Sequence, residues 1–139
     1  MTKKQKLLSL IPALWTSLFD IVITIIYQPL EYWSGDLGVA NEGNPIGSLF
    51  MKTHVSGLFV ISFLWIVLIC LLGYYLPKKL SRIFLLFIVI AHSFGASTWL
   101  SGRLGFWYVM AFILFNSILF YSIEDYARKN SKHAKKLSS

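Results

Sequence analysis

Asp20, His54 and His92 are residues of the types that bind transition metals, and Glu42 is an acid able to serve as a general base. One carboxylate and two imidazoles make an acceptable ligand set for zinc or another divalent ion, and a water bound there beside a free carboxylate can attack an ester or amide. The expected chemistry is metal-assisted hydrolysis, with Asp20, His54 and His92 holding the metal and Glu42 taking the proton. No HExxH or other compact metal motif is present, so these residues must converge from separate elements. The same side chains suit other tasks. A buried carboxylate and histidine pass protons or bind a cation, as in a proton- or ion-coupled small transporter. Two histidines can clamp a haem, although that leaves Asp20 and Glu42 unused. Hydrogen bonds alone, from Asp20 to Thr24 or Asn116 and from His92 to Ser93, would suit a non-catalytic subunit docked on a membrane-protein partner.

The elements that must position these residues are apolar. The chain is 56% hydrophobic and 17% aromatic with only 14% charged residues, and its mean hydropathy is +0.64, too apolar for a water-soluble domain of this size. Four runs approach or exceed the ~20 residues needed to cross hydrocarbon as a helix: residues 7–30, 55–76, 83–100 and 104–122. They are longer than barrel strands and do not alternate. The expected fold is therefore an all-α integral membrane four-helix bundle, a single domain spanning residues 1–139 with a basic tail over residues 123–139.

Lys3, Lys4 and Lys6 precede the first run, Lys78, Lys79 and Arg82 separate the second and third, and Arg128, Lys129, Lys132, Lys135 and Lys136 follow the fourth. Only Lys52 and Arg103 lie on the other side, so both termini are expected to be cytoplasmic. Topology and attraction to anionic lipid at the cytoplasmic face account for the net charge of +7, and no base-reading module suggests nucleic acid. The first run is too long for the apolar core of a secretory signal and reads as a retained helix. Cys70 is the only cysteine, which excludes an intrachain disulfide.

Asp20 and His92 fall near mid-membrane, about 21 and 16 Å from the cytoplasmic ends of their runs. Gly95 and Ala96, one turn beyond His92, allow a neighbouring helix close approach. Asn44-Pro45 has the pattern of an N-cap followed by proline at the first helical position. A helix running from there to Leu76 would be about 48 Å long, so it must either project or break near Ser56-Gly57. The depth of His54 depends on which occurs. Counted from Asn44 it reaches the level of Asp20 and His92, whereas counted from Pro77 it lies about 34 Å away, at the outer interface.

Asp20-Ile21-Val22-Ile23-Thr24 in the first run and Glu42-Gly43-Asn44-Pro45 before the second resemble a family of small prokaryotic membrane proteins of unknown function. In that family an Asp and Thr of the first helix precede a Glu-x-Asn-Pro element. The resemblance covers mainly residues 19–46 and implies a multi-pass protein of the prokaryotic inner membrane. By residue match it implies a functional centre at Asp20, Thr24, Glu42, Asn44 and Pro45, and it implies no reaction.

Overall fold

The computed structural model describes the backbone of residues 3–137 and the side chains through Lys129. The side chains of Lys132, His133, Lys135 and Lys136 in the expected basic tail lie outside the described residues. Four helices are long and apolar enough to cross a membrane: α1 (Lys3–Tyr27), α4 (Gly57–Tyr75), α5 (Lys78–Arg103) and α6 (Phe106–Leu137). Two short helices, α2 (Leu30–Trp33) and α3 (Pro45–Met51), join α1 to α4 with a 3-10 turn at Leu37–Val39 between them.

Proline sets most of the boundaries. Pro29 follows the end of α1, and Pro77 separates α4 from α5, as expected for a residue that lacks the backbone N–H a helix interior uses; Pro12 is accommodated inside α1. Asn44 caps α3 by accepting from the Ile46 N–H at 3.0 Å, with Pro45 in the first turn. The continuous helix from Pro45 to Leu76 does not form. Chain reversal at residues 52–56 ends α3, and α4 restarts at Gly57.

α1 is the central helix, packed on α4, α5 and α6 and the most buried of the four spans. Its contact with α5 is the most extensive in the protein, as Gly95 and Ala96 suggested. Leu10, Ala13, Ile69, Leu85, Ile88 and Val89 form one apolar core, and Ile23, Ala96, Leu100, Val109 and Phe112 form another. A polar layer lies between them. Asn116 of α6 accepts from Trp15 Nε1 of α1 at 3.1 Å and donates to Ser93 Oγ of α5 at 2.9 Å, joining three helices.

Lys6 Nζ donates to the Tyr74 carbonyl at 2.9 Å, and Arg82 pairs with Glu124. The start of α1, the end of α4, the start of α5 and the Glu124 level of α6 therefore share one end of the bundle, where Lys78 and Lys79 also lie. Outside the bundle, Ile26, Phe63, Phe94, Leu114 and Tyr121 are each more than half exposed. That surface suits hydrocarbon and would be costly in water.

Because Asn116 is buried and bonded to two neighbouring helices, Asn116→Leu should destabilise the bundle by about 1 kcal/mol, the scale of interhelical hydrogen bonds in membrane proteins. Ser117, exposed and bonded only to the Ile113 carbonyl of its own helix, should tolerate leucine without loss. Thermal unfolding of the two variants in the same detergent compares them directly.

Candidate functional site

His92 of α5 stands between Asp20 of α1 and Trp65 of α4. Its Nδ1 lies 2.8 Å from Asp20 Oδ2, and its Nε2 lies 2.7 Å from Trp65 Nε1. An indole N–H only donates, so Nε2 must offer a lone pair. The proton of His92 then sits on Nδ1 and is donated to Asp20, making the ring a neutral imidazole of defined tautomer. One line of hydrogen bonds thus crosses α4, α5 and α1. It gives an acid within an apolar bundle a partner and gives the indole N–H an acceptor.

Asp20 also depends on the absence of a side chain opposite. A Cβ at Gly95 would lie 2.7 Å from Asp20 Oδ2, closer than such atoms approach, and 3.0 Å from Oδ1. The sequence signal of a small residue one turn beyond His92 therefore has a second meaning, since it admits the carboxylate as well as the helix.

Glu42 arrives from the connecting segment. Gln28, just past α1, donates from Nε2 to the Asn41 carbonyl at 2.6 Å and accepts from the Asn41 N–H at 2.9 Å. That paired bond holds the segment down at the residue before Glu42. Glu42 Oε1 accepts from the Asn44 N–H at 2.7 Å, and its side chain lies along Gly47 of α3, where a Cβ would be 3.0 Å from Glu42 Cγ. Burial raises its carboxyl pKa from the ordinary carboxylate value. The Asn44 N–H opposes that rise, the negative charge of Asp20 adds to it, and positive charge on His92 would lower it.

Asp20, Thr24, Glu42, Asn44, Trp65 and His92 all line one cavity of about 730 Å³, within the size range of small-molecule sites. Its remaining wall is largely apolar and aromatic, including Leu58, Ile61, Phe87 and Trp99. Among the described residues no Lys or Arg lines it. Pro45 is not a lining residue and acts by starting α3.

His54 does not join this group, and the expected set of Asp20, His54 and His92 is not assembled. It is exposed in the reversal between α3 and α4, where its Nδ1 lies 3.0 Å from the Ser56 nitrogen and 2.8 Å from Ser56 Oγ. The break after α3 is the cause, because it invalidates the depth counted from Asn44 and leaves the count from Pro77. Lys52, a cation near this site in the sequence, is exposed in the same turn. No three His, Cys, Asp or Glu side chains among the described residues are grouped closely enough to hold a metal ion.

No family model, curated protein or solved structure matches this chain. The site therefore rests on its own geometry. Within it, four of the five residues singled out by the resemblance line a single cavity, together with His92, which came from physical reasoning about intramembrane polar residues. Trp65 and Gln28 were not anticipated. Trp65 carries a signal in its position, because a tryptophan in the middle of a span is too deep to be an interfacial anchor and its N–H needs an acceptor.

In the ¹⁵N NMR spectrum of the protein in lipid nanodiscs, His92 should show a protonated Nδ1 and a bare Nε2, and Trp65→Phe should shift the Nε2 signal by removing its donor while Nδ1, still bonded to Asp20, stays protonated. A proton on Nε2 in the parent protein would contradict the assigned line of bonds. Asp20→Asn removes a negative charge that raises the Glu42 pKa, so the Glu42 titration midpoint should move down. A ¹³C-labelled glutamate carboxyl signal followed against pH reads the shift, and an unchanged or higher midpoint would show that Asp20 does not face Glu42.

Proposed function

We propose that this chain is a small multi-pass transporter that binds a cation between Asp20 and Glu42 and exchanges it for protons. The observation that supports this best is the convergence of two carboxylates on one cavity that no Lys or Arg among the described residues lines. A negative site walled by apolar groups attracts positive charge and penalises anions. Trp65 and Trp99 add aromatic faces that favour an organic cation. Glu42, with its raised pKa, is the group that accepts a proton when the cation leaves.

Asp20 is held by His92 and serves as the fixed acid. Groups facing Glu42 are Asp20 from α1 and His92 from α5, while Arg103 stacks over the Tyr27 ring outside the cavity lining. As pH falls through the Glu42 midpoint, its carboxylate is neutralised and cation affinity should fall.

The cluster of basic residues at one end of the bundle supports a cytoplasmic location for that end, adjacent to anionic lipid. The Glu42 segment then faces the extracytoplasmic side of a prokaryotic inner membrane. Metal-assisted hydrolysis, the alternative drawn from residue types, needs a third ligand where His54 is not. It also needs a free ring nitrogen on His92, whose two nitrogens are bonded to Asp20 and Trp65.

Tetramethylammonium, a permanent cation, tests the proposal in proteoliposomes with a pH gradient. Uptake should be driven by proton movement in the opposite direction and reduced at least about tenfold, or about 1.4 kcal/mol, by Asp20→Asn or Glu42→Gln. Uptake that ignores the gradient, or that survives both substitutions, would overturn it.

A further inference from the structure

The cavity is not enclosed on all sides. Phe87 and Phe94 of α5 line it and yet are 59% and 74% exposed. Ala91, between them, also lines it and is exposed. These three residues recur at helical spacing and define an opening on the flank of the bundle beside α5. Ala91 lies about 20 Å from the Lys78 end of this helix and about 18 Å from its Arg103 end. In a helix that crosses the membrane, that opening is at the level of the acyl chains.

An opening at that depth is reached through hydrocarbon. Phe87, Ala91 and Phe94 make its rim aromatic and aliphatic up to the exposed Thr98, while the carboxylates Asp20 and Glu42 line the same cavity and are less exposed than these residues. The arrangement separates an apolar entrance from an acidic interior. A small hydrated ion would gain nothing from the entrance. A molecule with a long apolar tail and a cationic head matches both parts.

We infer that the ligand is a membrane-dissolved amphiphile with an ammonium-type head, which enters laterally past Phe87, Ala91 and Phe94 and places its head between Asp20 and Glu42 while its tail remains at the opening. This rests on the cation reading of the two carboxylates and specifies the ligand class and route. The chemistry is recognition alone, and no bond is made or broken.

The probes are decyltrimethylammonium and tetramethylammonium, which share a head and differ in tail. Binding to the protein in nanodiscs is measured against free aqueous concentration, after subtraction of uptake by protein-free nanodiscs. Decyltrimethylammonium should bind at least about tenfold more tightly, since its tail stays out of water when bound, and should displace tetramethylammonium. Ala91→Trp, which fills the opening, should collapse that chain-length advantage towards unity, and retained tetramethylammonium binding reports an intact fold. If Ala91→Trp binds neither ligand, Phe87→Ser supplies the same ratio without added bulk.

Equal affinity of the two probes, unaltered by either substitution, would overturn lateral entry and leave the cation site standing. A chain-length advantage that survives both substitutions would overturn the route. Failure of both probes to bind the parent protein would remove the cation reading as well. Loss of a stable dimer in Ala91→Trp would show the opening to be a contact between copies of the chain, which also overturns the proposal.

Discussion

A carboxylate within a long apolar helix must have a partner or face a cavity, and Asp20 has both. Its bond to His92 fixes the position of α5 against α1, and the bond from Trp65 to the far side of the same ring ties in α4. Ser93, the next residue on α5, reaches Asn116 of α6, which in turn accepts from Trp15 of α1. Two adjacent residues of α5 thus direct hydrogen bonds to its neighbours, and apolar packing above and below completes the bundle. Hydrophobic contact has little power to select one helix pairing over another in hydrocarbon, so such bonds help to specify which helices meet.

That constraint also explains the cavity. The side chain opposite Asp20 is missing at Gly95, leaving room for the carboxylate, and the connecting segment carries a second acid into the same space. Gln28 anchors the segment through the Asn41 backbone, and α3 begins immediately afterwards at the Asn44 cap. Burying two acids together is unfavourable when both are ionised. Under the proposed function, proton uptake by Glu42 would relieve the cost in the unliganded state, and a bound cation would relieve it in the liganded one.

The four spans were legible because each is a long apolar run ended by proline or by basic residues. The Asp20 and His92 pairing was legible in outline, since both fall at similar depth and Gly95 permits contact. His54 was not, because its depth turned on whether the chain breaks after α3. At that break Met51 and Leu58, one on each side of it, pack together with Tyr32 of another element, a contact that local sequence does not announce. Trp65 was overlooked because aromatic residues in membrane spans usually serve packing. Its role emerges only when a neighbouring helix presents His92 to the indole N–H.

In the proposed function a cation and a proton compete for one pair of carboxylates, Asp20 and Glu42. Calorimetry of tetramethylammonium binding to the nanodisc-embedded protein, repeated in buffers of different ionisation enthalpy, counts the protons exchanged. Net proton release on binding is predicted near the Glu42 midpoint, fading at higher pH where Glu42 is already ionised, and absent in Glu42→Gln. Binding with no proton release at any pH, or with the same release in Glu42→Gln, would contradict it.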